Sequence, residues 1–151
     1  MTISVELETR IDRSPAVVFE ALTAIEQYPD WLVASGIVRV ERLDGDPLVV
    51  GSTVRIAQRV AGRSTVLEGT ITSLEPDRAI GLRGRDPDGI SLELEAALVP
   101  DGAGVRLRWS VRIGLPLRFR AFESMVAPQA RRAATLDLEA FRRRLESTPA
   151  G

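Results

Sequence analysis

Between Ile37 and Ile113 the chain is cut by turn signals at intervals of about a dozen residues: "DGDP" at 44–47, "AG" at 61–62, "EPD" at 75–77, "DPDG" at 86–89 and "PDGAG" at 100–104. A parallel connection needs a longer crossover than any of these, so the intervening segments must pair as antiparallel hairpins. Six strands follow. The last is the clearest, with Val105, Leu107, Trp109, Val111 and Ile113 on one face and Arg106, Arg108, Ser110 and Arg112 on the other. Gln58 shares a strand face with Val54, Ile56 and Val60, as a polar point among apolar neighbours, unless a register break turns it outward. Glu93 and Glu95 fall where the last hairpin brings them opposite the arginines, as a solvated salt-bridge ladder. The "DPDG" segment lacks the ligand spacing of a calcium loop and reads as a hairpin turn.

A seventh strand precedes these. Ile3, Val5, Leu7, Thr9 and Ile11 alternate with polar residues, the period of a half-buried strand. The period then changes. Ser14 is placed to cap a helix beginning at Pro15, where a missing N–H costs nothing, and Val18, Leu22 and Ile25 follow at helical spacing. Pro29 disfavours the α region for the residue before it, so a second short helix should end near Tyr28 or restart just beyond.

After Pro116 a helical stretch runs to about Glu146, roughly 45 Å at 1.5 Å per residue. Measured from Phe122 at 100° per residue, Met125, Val126, Ala130, Ala133, Leu136, Ala140 and Phe141 share a broad apolar arc. Arg131, Arg132, Glu139, Arg142 and Glu146 lie opposite. Pro128 should kink this helix. Arg142, Arg143 and Arg144 in its last turn complement the helix dipole, and nearby acids dilute any phosphate-binding patch. Gln129 sits near the apolar arc and Asp137 close to its centre. A buried aspartate needs a partner. Asp137 therefore either pairs with an arginine or is turned to solvent by helix rotation, and the rarity of buried unpaired carboxylates favours the second.

The chain's 151 residues suffice for one domain, read as 1–147 with a short flexible tail at 148–151. Its residues include 44% hydrophobic and 27% charged side chains, and the net charge of −1 exerts no general pull on nucleic acid. Histidine, lysine and cysteine are absent. That removes the Ser-His-Asp and Cys-His systems, imidazole or thiolate zinc sites, a lysine Schiff base and the P-loop lysine. Arginine stays protonated, so proton transfer falls to carboxylates and Tyr28. The N-terminal segment lacks the pattern of a signal peptide, and no apolar run reaches bilayer-spanning length. The cytoplasm is the simplest location.

One curved sheet of seven strands has one apolar face, and the long helix is the only element large enough to cover it. This order of elements resembles the START-like (SRPBCC) superfamily, which includes polyketide cyclase and lipid-transport proteins and shares the helix-grip fold of birch-pollen-allergen-like proteins. The resemblance rests on "SPAVVFEALTAIEQYPDWLV", "TITSLEPDRAIGLRG", "PDGAGVRLRW" and "TLDLEAFRRRLE", and covers nearly the whole chain. It implies an α+β helix-grip fold: a seven-stranded curved antiparallel sheet around a long C-terminal helix, with two short helices between strands one and two.

It also implies a cavity whose entrance is bordered by the helix pair and the start of the long helix. Tyr28 and Trp31 then lie near a mouth, the alternative being that they complete the core. Five of the seven aromatic residues, Tyr28, Trp31, Trp109, Phe119 and Phe122, are expected at one end. The expected ligand contacts are Tyr28, Trp31, Ile56, Gln58, Leu107, Trp109, Phe119, Phe122, Met125, Val126 and Gln129, with no catalytic residue, metal or cofactor. The partner is a small hydrophobic molecule such as a lipid, isoprenoid or polyketide, bound by a monomer or homodimer without nucleic acid or stable membrane insertion. Two alternatives stand beside this reading: a cyclase or aromatase using Tyr28, Glu123 or Asp137, and a protein-interaction domain.

Overall fold

Alternating apolar side chains build a single open sheet, with the long terminal helix packed on one side of it. The computed structural model describes residues 2–60 and 62–148. In chain order come β1 (Thr2–Ile11), α1 (Pro15–Thr23), a 3-10 segment (Ile25–Asp30), β2 (Ile37–Arg42), β3 (Thr53–Val60) and β4 (Arg63–Glu75). Then follow β5 (Ala79–Arg85), β6 (Ser91–Asp101), β7 (Gly104–Gly114), a 3-10 turn (Leu117–Phe122) and α2 (Glu123–Ser147). Ala61 in the "AG" turn and residues 149–151 of the expected tail lie outside the described residues.

The sheet is antiparallel throughout, in the order β1-β7-β6-β5-β4-β3-β2. Hairpins make every neighbour except β1, which pairs with β7, so the α1 and 3-10 segment carries the chain from one sheet edge to the other. Register irregularities between Ile37 and Arg39 in β2 and between Ile71 and Ser73 in β4 mark bulges, which bend strands locally. This is the helix-grip architecture expected from the sequence.

Local chemistry places the helices. Ser14 Oγ accepts the Val17 N–H, with Pro15 at the first helical position. The 3-10 segment continues through Pro29 rather than stopping before it, because its i→i+3 pattern leaves few donors for a proline to remove. At the far end of α2, Arg13 donates to the Glu146 and Thr148 carbonyls at 2.7 Å each, and Asp12 N–H donates to Glu146 Oε2. All three arginines of the terminal triplet meet acids: Arg142 pairs with Glu139 and Glu146, Arg143 with Glu139 and Arg144 with Asp30. On the outer sheet face Glu93 lies 3.7 Å from both Arg83 and Arg112, as expected of the ladder, but Glu95 falls opposite Ser110 and makes no salt bridge among the described residues.

The buried face of α2 differs from the expected arc. Ala134, Asp137, Leu138, Phe141 and Leu145 are buried, while Leu136 and Ala140 are exposed. The helix is thus rotated relative to an arc centred by hydrophobicity alone. A chain segment near Ser35 presents backbone donors there, and satisfying them draws Asp137 inward.

Candidate functional site

The space between sheet and α2 is divided by aromatic packing. Trp31 stands at the centre, with ring centroids 4.4 Å from Phe141, 5.3 Å from Tyr28 and 5.6 Å from Trp109. All four side chains are buried. They fill the space beside the C-terminal half of α2, and the N-terminal half is left standing over an open cavity of about 520 Å³.

Most of its wall comes from four places. The 3-10 segment leads into a loop that supplies Leu32, Ala34 and Ser35; β3 supplies Gln58 and Val60; β6 and β7 supply apolar residues including Leu94, Trp109 and Val111; α2 closes the top through Val126, Gln129 and Ala133. Phe122 and Met125 are 53% and 63% exposed, so they form a rim more than a lining. Among the described residues Arg63 is the one charged residue on the wall, and Asp86 and Asp88 already hold its guanidinium. Asp86 is itself buried in the β5–β6 turn, where it also accepts the Ile90 N–H and the Thr65 hydroxyl. The "DPDG" turn is therefore knitted together by its own aspartate.

The loop wall is fixed by Asp137. Its carboxylate accepts the Ala34 N–H at 2.8 Å and the Ser35 N–H at 3.0 Å, and the Ser35 carbonyl in turn accepts Gln58 Nε2 at 3.0 Å. One polar chain thus links α2, the loop and β3. Burial pushes the Asp137 carboxyl above the usual aspartate range, against the pull of hydrogen bonds from the Ser35 side chain and the Ala34 and Ser35 backbone. Neither sequence alternative holds: Asp137 is not turned to solvent, and it has no arginine partner. Two backbone N–H groups replace the cation, which is enough to seat a carboxylate in an apolar surrounding.

Seven of the expected contacts, Gln58, Trp109, Phe119, Phe122, Met125, Val126 and Gln129, are brought together on the cavity wall. Four are not. Tyr28 and Trp31 complete the core instead of bordering the mouth: the Tyr28 hydroxyl donates to the Leu22 carbonyl at the end of α1, and Trp31 is the hub of the aromatic cluster. Burial, with Glu26 nearby, raises the Tyr28 pKa far above the ordinary phenol value, which keeps the hydroxyl a donor. Ile56 and Leu107 point inward, as alternation requires, but are enclosed by core side chains. The five aromatics expected at one end therefore separate, with Phe119 and Phe122 at the rim and the others in the cluster. Phe141 was readable as apolar but not as the fourth member, because nothing in the sequence aligns it with Trp31.

Ser35, Arg63 and Ala133 are wall residues that sequence reasoning missed. The first two stand in or beside turns, where periodicity carries no facing information. Trp109 Nε1 is the one buried side-chain polar atom without a hydrogen-bond partner among the described residues. Of the acid–base candidates, Glu123 does not line the cavity, and Tyr28 and Asp137 are committed to backbone groups. Among the described residues no group of acids is placed to hold a metal ion, and no helix is long and apolar enough to cross a membrane.

A bent antiparallel sheet gripping a terminal helix over an apolar cavity defines the helix-grip class of folds. The chain belongs to the polyketide cyclase/dehydrase and lipid transport family, whose model matches residues 2–146. Its fold is similar to the ZhuI aromatase/cyclase from Streptomyces, at 18% identity and TM-score 0.76, with 97% of this chain and 94% of that chain covered. A START superfamily protein from Mycobacterium smegmatis is similar at 18% identity and TM-score 0.74, covering 95% and 97%. Ara h 8.0201 is similar at 15% identity and TM-score 0.70, covering 98% and 100%. Likeness at such identities establishes the fold and leaves the activity to the site. No curated protein sequence matches the chain. Hydrophobic ligand binding and polyketide cyclisation are both compatible with the family.

Proposed function

We propose that this protein binds and carries a small, predominantly apolar molecule in the cavity between its sheet and α2. The observation that supports this most is the composition of the wall: about 520 Å³ of space bounded by aliphatic and aromatic side chains, with Ser35, Gln58, Arg63 and Gln129 as the polar or charged exceptions. Such a space suits a ligand of drug or lipid-fragment size held by apolar burial and oriented by a few polar points. The proposed contacts are Trp109, Val126 and Gln58 inside, with Phe119, Phe122, Met125 and the exposed Gln129 at the entrance. The absence of Tyr28, Glu123 and Asp137 from the wall favours carriage over cyclisation, because general acid–base work requires a group within hydrogen-bond reach of the reacting atoms.

The test is direct. Native mass spectrometry of the purified chain and titration with N-phenylnaphthylamine, a neutral fluorescent amine, should report one saturable site. Ala133→Trp, which places an indole in the cavity, should remove it. A wild-type chain that carries no apolar species and binds no dye ends the proposal, and conversion of a bound polyketide chain into a cyclised product replaces carriage by catalysis.

A further inference from the structure

Of the two glutamines on the wall, Gln129 is exposed and makes no hydrogen bond among the described residues, whereas Gln58 is anchored and its amide has a definite sense. Gln58 Nε2 donates to the Ser35 carbonyl at 3.0 Å. A carbonyl only accepts, so this contact fixes which end of the amide is which. Among the described residues no donor reaches Gln58 Oε1, and it is not among the buried unpartnered atoms, so it is accessible in a residue that lines the cavity. Its position is rigid because Ser35 is itself held to α2 by Asp137. Trp109 Nε1, by contrast, is buried away from the cavity surface.

Charge narrows the choice further. Among the described residues no carboxylate lines the cavity, so a ligand cation finds no counter-ion there, and Arg63 is already bonded to Asp86 and Asp88. A carboxylate on the ligand would be desolvated opposite an amide oxygen that also carries negative partial charge. We infer that the cavity selects a neutral apolar molecule bearing a hydroxyl group, which donates its hydrogen bond to Gln58 Oε1. This rests on the cavity binding proposed above and makes Gln58 the residue that sets specificity.

Three probes on one ring system separate the cases: pyrenemethanol, methylpyrene and pyrenecarboxylate, titrated by fluorescence into the full chain at neutral pH. Wild type should bind the alcohol roughly 3- to 10-fold more tightly than the methyl compound, the range of one net hydrogen bond, and the carboxylate most weakly. Gln58→Leu should abolish the preference for the alcohol while keeping methylpyrene affinity. Equal binding of all three by wild type, tightest binding of the carboxylate, or an alcohol preference that survives Gln58→Leu overturns the inference and leaves cavity binding standing. Failure of all three probes to bind removes both. If Gln58→Leu does not fold, the wild-type order decides by itself.

Discussion

Asp137 joins α2 to the loop at Ala34 and Ser35 through its two oxygens, and its replacement reads out what a buried carboxylate contributes. Asparagine offers one oxygen and turns an NH2 toward the second backbone N–H, so Asp137→Asn should destabilise the fold by about 1–3 kcal/mol, measured by urea unfolding. The pH dependence has a definite sign. With the folded-state pKa raised above the ordinary 3.8, the native chain holds the proton more tightly than the unfolded chain. Asp137 therefore adds stability as pH falls through its folded value, levelling off below the unfolded one. The stability gap between wild type and Asp137→Asn should widen on acidification toward about pH 4. A gap that narrows contradicts the assignment. Tyr28→Phe removes a single bond to the Leu22 carbonyl and should cost about 1 kcal/mol while leaving dye affinity unchanged, since the hydroxyl is walled off from the cavity.

At the scale of elements, the loop after the 3-10 segment is both a wall and a turn. Gly36 adopts φ +75°, and a Cβ there would stand 2.0 Å from the Arg59 carbonyl oxygen. Gly36→Ala should lower stability by at least about 2 kcal/mol and weaken dye binding, because the displaced loop carries Ala34 and Ser35. Helix α2 is anchored at its C-terminal end by Arg13. Arg13→Ala should speed amide exchange in the last turn, with little change in binding at the other end of the helix. The strands were legible because alternation has a fixed period of two and each turn is spelled by glycine, proline and aspartate. The helix face was less legible. An apolar arc drawn from Phe122 includes Leu136, which is exposed, because the donors that bind Asp137 sit about a hundred residues away in sequence.

The molecule as a whole is a sheet whose covering helix is plugged at one end and open at the other. Filling the open end should separate binding from stability: Ala133→Trp should eliminate the dye site while the urea midpoint moves little, since the new side chain occupies existing space. A large loss of stability would mean that the space is smaller than 520 Å³ in solution. Turn spacing, strand alternation and the Ser14–Pro15 start, all encoded within a few neighbouring residues, determined seven antiparallel strands and a terminal helix from sequence alone. Only the tertiary structure decided that Tyr28 and Trp31 join Phe141 as a plug, that Gln58 is anchored to the Ser35 carbonyl on the cavity wall, and that Asp137 is inside. Those outcomes depend on contacts between residues far apart along the chain, and local periodicity contains no record of which distant group will be there to receive a side chain.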